Sequence, residues 1–154
     1  MKKLISFLII ISIFSIAALG GIEPLKISFQ DLKKLKITGY RGYEDFKKRL
    51  TIPQDIKSLN GKLVTIKGYM LPLDNMPPLT KHFLLLKIPV QCCYFCTAPE
   101  INEMVEVLIA GKGVKGDMNK IAQVTGIFEV GLKESSELMI NSIYRIKAEE
   151  VKIL

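Results

Sequence analysis

From Asn60-Gly61 to its last residues the chain repeats one pattern, a short apolar run of period two closed by a turn signal. Asn-Gly is a tight-turn dipeptide that delivers a chain into a strand. Residues 62–71 follow it, with Val64 and Ile66 on one face and Thr65 and Lys67 on the other, until Pro72 stops the run. After the Pro77-Pro78 loop, residues 82–89 hold Phe83, Leu84, Leu85, Leu86 and Ile88, broken only by Lys87. That reads as a strand buried on both faces. Residues 104–109 alternate through Val105, Val107 and Ile109, and Gly111 and Gly113 end them. Residues 121–131 set Val124, Phe128 and Val130 against Thr125, Ile127 and Glu129. Residues 140–153 set Tyr144, Ile146 and Ala148 against Arg145 and Lys147. Five such runs with short connections predict a mainly β fold, a small five-stranded OB-like barrel. Gly68 and Gly126 inside two of the runs suit the bends that closure requires.

Ahead of the barrel, residues 21–58 carry apolar positions at helical spacing. Phe29, Leu32 and Leu35, then Tyr43, Phe46 and Leu50, predict short helices broken at Gly39 and Gly42, and Pro53 opens a further helical turn. Residues 1–20 have a different composition: Met1-Lys2-Lys3, an uncharged apolar run from Leu4 to Leu19, then small residues before Gly21. This is the pattern of a signal peptide, or of an N-terminal membrane anchor if it is retained. The run is shorter than the roughly 20 residues of a comfortable transmembrane helix, which favours the signal peptide. The expected organisation is therefore a leader (1–20), a helical N-terminal segment (21–58) and the barrel (59–154), exported to the periplasm or its equivalent. About 134 residues remain after the leader, enough for one core and too few for two ordinary domains.

The composition narrows the function classes. The chain carries a formal net charge of +7, much of it on scattered lysines such as Lys33, Lys34, Lys47, Lys48, Lys67 and Lys87. No dense arginine and aromatic stripe accompanies them, so nucleic acid is not the expected partner, and the basic surface favours peripheral contact with anionic lipid headgroups. A single histidine, His82, limits acid–base and triad schemes, and the motifs of serine hydrolases, zinc proteases and phosphate loops are absent. Glu103 and Glu106 read as a solvated rim of their strand. An enzyme is not expected.

Chemistry concentrates instead in one run, Gln91-Cys92-Cys93-Tyr94-Phe95-Cys96-Thr97-Ala98-Pro99-Glu100, which holds all three cysteines of the chain. Three readings compete for it. Cys93-x-x-Cys96 lets two thiolates converge on one soft ion across a tight turn, and Cys92 offers a third. Zinc is the first choice of metal and Cu(I) the alternative. Glu100 and Glu103 are the nearer oxygen donors for a fourth bond. His82 is ten residues from Cys92, about 33 Å if fully extended, so its use requires the chain to fold back. In the second reading, Cys93 and Cys96 form an inert disulfide that pins a loop, as export favours. The third is thiol–disulfide exchange, but the strand-like segment after Pro99 lacks the helix on which thioredoxin-like enzymes place such a pair. Tyr94 and Phe95 would shield the thiols or meet a partner.

Leu59-Asn60-Gly61-Lys62 with Val64-Thr65-Ile66-Lys67-Gly68-Tyr69-Met70-Leu71-Pro72-Leu73 resembles the first conserved block of the exported domain-of-unknown-function family 3299. Phe83 to Leu86, Pro89, Cys92-Cys93, Pro99 and Asn102 to Val107 resemble its central block, and Val124-Thr125-Gly126, Glu129-Val130-Gly131, Tyr144-Arg145 and Ala148 to Val151 its closing strands. The resemblance implies a small periplasmic β-rich domain. Some relatives are encoded beside permease and ATPase components of export-type ABC systems, some of them zinc-responsive, and no activity is established for the family as a whole. This chain departs from the pattern in lacking the lipobox cysteine of lipoprotein members and in carrying Cys96.

Overall fold

The turn at Asn60-Gly61 forms as expected, with Gly61 at φ +77°, where a side chain would be strained. Asn60 Oδ1 accepts from the Val130 amide at 2.9 Å, so the turn is also tied to a distant strand. The computed structural model describes residues 23–36, 42–74, 78–90, 99–134 and 141–154. Residues 1–20, Gly39, Pro77 and the cysteine run at Cys92, Cys93 and Cys96 with Tyr94 and Phe95 lie outside them. In chain order the elements are β1 (Leu25–Lys26), α1 (Phe29–Leu32), α2 (Gly42–Arg49), α3 (Gln54–Lys57), β2 (Leu63–Pro72), β3 (Leu79–Thr80) and β4 (His82–Leu86). A 3-10 turn (Ile101–Glu103) then leads into β5 (Met104–Ile109), β6 (Val114–Lys115), β7 (Ile121–Glu134) and β8 (Asn141–Ile153).

The main sheet runs β1-β2-β4-β5-β8-β7 and closes by pairing β2 with β7, so five strands form a barrel. All its pairings are antiparallel except β5 with β8 and the short β1 with β2. The fold is thus mainly β, an OB-like barrel with three short helices among the described residues. Val64, Ile66 and Met70 of β2, Phe83 and Leu85 of β4, Val105 and Val107 of β5, Val124 and Phe128 of β7, and Tyr144 and Ile146 of β8 fill the interior. The alternation seen in the sequence is the alternation between this core and the outer face.

The N-terminal helices share that core through Phe29, Leu32, Leu35, Phe46 and Ile56. Two side chains fasten them by hydrogen bonds: Tyr144 Oη donates to the Leu32 carbonyl at 3.1 Å, and Asn102 Nδ2 donates to the Leu35 carbonyl at 2.9 Å. Tyr144 also stacks on Phe128, ring centroids 5.8 Å apart. Burial drives the Tyr144 phenol well above its ordinary range, so it stays protonated as a donor.

Three strand expectations need amendment. β4 ends at Leu86 rather than Pro89: the Lys87 amide still reaches the Glu103 carbonyl at 3.1 Å in the β4–β5 register, but the partner chain there is already in the 3-10 turn, and Pro89 has no amide to give. β7 continues past Gly131 to Glu134, across a register irregularity between Val130 and Lys133. Gly126 is required for a closer reason than a general bend. A Cβ there would strike the Lys147 carbonyl oxygen and lie 2.8 Å from Ala148 Cα, at the bulge where β7 and β8 shift register.

Candidate functional site

Both described ends of the cysteine loop are anchored on the barrel. Leu86 pairs with Tyr69 on one side of β2, yet four residues later Val90 bonds to Asn119 on the other side. The Asn119 amide group makes two bonds to the Val90 backbone, Oδ1 accepting at 2.8 Å and Nδ2 donating at 2.9 Å. Asn119 is held in turn by its own N–H on the Met70 carbonyl, at 2.9 Å. The chain therefore steps across the outer face of β2 between Lys87 and Val90. Asn119 adopts φ +63°, in the third position of the turn spanning residues 117–120, a place that asparagine tolerates better than most residues.

At the returning end, Pro99 and Glu100 lead into the 3-10 turn. Glu103 Oε1 meets Lys87 Nζ at 2.8 Å and Lys33 Nζ at 3.2 Å. The Lys87 bond, joined by Lys33, holds the Glu103 carboxyl below its ordinary range despite partial burial. Recruiting Glu103 to a metal would break two ion pairs. Glu100 is exposed and has no ion pair among the described residues.

His82 has a different role from that of a bystander. Its Nε2 lies 2.9 Å from Glu106 Oε1, and Glu106 Oε2 accepts from the Ser142 hydroxyl at 2.5 Å. Arg145 completes the chain: Nη1 donates to Ser142 Oγ at 3.3 Å and to the carbonyls of Ser142 and Gly131 at 3.1 and 2.9 Å, while Nε reaches Glu129 at 3.4 Å. Lys147 also pairs with Glu129, at 2.6 Å, and holds that carboxyl below its ordinary range. On the other side of His82, the Asp74 carboxylate accepts from the Thr80 hydroxyl and from the amides of Lys81 and His82 at 2.7 and 3.3 Å. Burial alone would raise Asp74, but these three donors outweigh it and leave the carboxyl lowered.

Glu106 was expected on a solvated rim, and that expectation fails: both it and Arg145 are only 7% exposed. The register explains why. Glu106 and Arg145 are opposite partners on β5 and β8, pointing out of the barrel, and Leu84 beside Glu106 is buried as well. Alternation in the sequence reveals that these residues face away from the core. It does not reveal that this outer face is covered.

Of the expected extra metal donors, His82 and Glu103 lie at opposite ends of β4. His82 is level with Leu108, while Leu86 is level with Met104, the residue after Glu103. Four strand residues, about 13 Å, therefore separate the two ends. Donors to one ion sit within roughly 4–5 Å of each other, so His82 and Glu103 are alternatives and cannot serve jointly. Among the described residues no group of three or more histidine, cysteine, aspartate or glutamate side chains is arranged to hold a metal. Sequence reading did not single out Asp74, Asn119 or Ser142, and it gave Glu106 and Arg145 no part in a site. Only the opposite charges of Glu106 and Arg145 on alternating strands hinted at a pair.

Residues 28–153 match the family described as protein of unknown function (DUF3299). The structure is similar to the crystal structure of a DUF3299 family protein from Pseudomonas aeruginosa PAO1, with a TM-score of 0.60 and 22% identity over 85% of this chain and 96% of that one. At that identity the likeness speaks for the fold alone. No curated protein matches the chain.

Proposed function

The chain belongs to the DUF3299 family of proteins of unknown function, and we propose that it is an exported envelope module that binds a soft metal ion, zinc first and Cu(I) second, through Cys92, Cys93 and Cys96. The observation that carries the reading is the crowding of every cysteine of the chain into five residues between two barrel strands. Thiolates at that spacing suit a soft cation, and loop ends fixed by Asn119 and by the Glu103 ion pairs reduce the entropy lost when an ion is chelated. The proposed role is binding rather than catalysis, since one histidine and no hydrolase, zinc-protease or phosphate-loop motif leave little acid–base machinery. Components of an ABC-type transporter are the proposed partners, on the resemblance given above.

The test is to purify the protein without denaturant and measure bound metal together with free thiols. Stoichiometric metal, lost in Cys→Ser variants that keep the fold, supports the reading. No metal, one free thiol and a Cys93–Cys96 disulfide would overturn it in favour of a non-catalytic partner protein with a stapled loop. Reaction of the reduced protein with a model disulfide, faster than an unstructured peptide of the same cysteine run, would instead indicate a thiol–disulfide oxidoreductase.

A further inference from the structure

Strand register gathers an apolar strip at one rim of the barrel. Tyr69 pairs with Ile121 on one side and Leu86 on the other, Leu86 pairs with Met104, and the Leu154 amide bonds to the Ile121 carbonyl at 2.9 Å. Their strand neighbours Met70, Leu85, Val105 and Ala122 belong to the core, so this row faces outward. Met118 stands in the second position of the turn whose third residue is Asn119, and Ile88 and Val90 lie where the chain crosses β2. Leu86 within this row is covered, but the strip is open at Met118 (60% exposed), Leu154 (61%), Ile121 (41%) and Ile88 (40%). One outward row along the strands the chemistry changes, since Lys67 pairs with Gln123 and Gln123 with Lys152. Lys120 is exposed in the turn itself. Lys67 and Lys120 have no ion-pair partner among the described residues, whereas Lys152 meets Glu150 at 3.2 Å. Acids at the rim are engaged: Asp117 lies 3.9 Å from Lys115, and Glu103, beside Met104, meets Lys87 at 2.8 Å and Lys33 at 3.2 Å.

We propose that this rim docks peripherally on an anionic lipid bilayer, with Met118, Ile121, Leu154 and Ile88 entering the acyl boundary and Lys67, Lys120 and Lys152 meeting lipid phosphates. The spacing supports a bilayer: outward rows two residues apart are about 6.7 Å apart along a strand, and interfacial apolar groups sit roughly 5–10 Å deep. Lysine stems extend toward the headgroups while the aliphatic row stays below them. The apex is built on a turn, and its unpaired charge is positive in a chain whose net charge is +7. This inference stands independently of the metal reading.

The chain contains no tryptophan, so a single introduced one reports its own surroundings. Met118→Trp is placed in the rim and Lys62→Trp, exposed ahead of β2, is placed roughly 25 Å away along the strand. The full chain is mixed with phosphatidylcholine vesicles, with or without phosphatidylglycerol and with brominated acyl chains. Expected are a blue shift and quenching of Met118→Trp on the anionic vesicles only, with Lys62→Trp unaffected. Adding Lys67→Glu and Lys120→Glu should weaken partitioning by about tenfold or more, at roughly 1 kcal/mol per lysine near the surface. Equal quenching at both positions would overturn the proposal, because an apolar N-terminus would then account for binding. Absence of quenching, indifference to charge reversal, or a lipid-free blue shift that grows with protein concentration would also overturn it, the last pointing to a second copy on the rim.

Discussion

Replacing Glu106 by leucine tests whether the network around it is held by satisfied partners or merely tolerated. Leucine fits beside Leu84 and adds apolar burial, and exchanging buried ionic groups for apolar ones is often neutral. Here only one partner is exchanged, so the cost depends on what is left behind. The Ser142 hydroxyl, almost fully buried, loses its acceptor at 2.5 Å, which costs about 1–3 kcal/mol. Arg145 keeps the carbonyls of Gly131 and Ser142 and its contact with Glu129, so its charge is weakened rather than orphaned, about 1 kcal/mol. The His82 ring is partly open to water, which replaces Glu106 at little cost. The total is about 3 kcal/mol, or roughly 6–12 °C in Tm for a chain of this size. Urea titration at constant m reads it directly. The decisive measurement is the double variant Glu106→Leu/Ser142→Ala, which removes the orphaned hydroxyl and should recover about 1–2 kcal/mol of the loss. If the double variant is no more stable than Glu106→Leu alone, an unpaired Ser142 is not the source of the cost and the reasoning fails.

Gly126→Ala should destabilise by about 3 kcal/mol or more, because the clash is with the β8 backbone and neither strand can yield at the bulge, whereas Gly111→Ala, with open space around it, should change little in thermal unfolding. Asn119→Gly keeps the positive φ but removes both bonds to Val90; amide exchange at Val90 should accelerate by about tenfold while global stability falls by about 1 kcal/mol. Asp74 has a lowered pKa in the fold, so its stabilisation is present above the ordinary value of 3.8 and is lost as pH falls through the folded value; Asp74→Asn should flatten the urea midpoint in that acid range and lower it at pH 7. His82→Ala should leave the metal stoichiometry of the purified protein unchanged, and loss of metal in that variant would place the histidine in the site after all.

Sequence legibility followed physical cause closely. The barrel was readable because a closed sheet forces each strand to alternate between core and exterior, and five runs displayed that alternation. The first two short helices were readable from Phe29, Leu32 and Phe46, since each packs onto the same core. Glu106 was misread for the complementary reason. Outward direction is local and periodic, but burial of an outward face depends on what the rest of the chain lays over it. Asn119 is a similar case, because its bonds join residues 29 positions apart and leave no periodic trace.

The engagement of His82 also bears on which ion a thiol loop of this kind would select. Glu103 Oε1 is shared by two lysines, so recruiting it breaks existing ion pairs, and His82, whose Nε2 meets Glu106, lies about 13 Å along the strands from that carboxylate. Glu100 carries no such commitment among the described residues. On the proposed reading Cys92, Cys93 and Cys96 supply three thiolates, and Glu100 is the uncommitted carboxylate that would supply a fourth donor. Zinc prefers four donors in a tetrahedral site and would need that fourth ligand, whereas Cu(I) is satisfied by soft thiolates alone. The choice between the two metals thus turns on Glu100 rather than on the histidine. A zinc site should weaken when Glu100 is made neutral, and a Cu(I) site should not, because only the first draws on the oxygen.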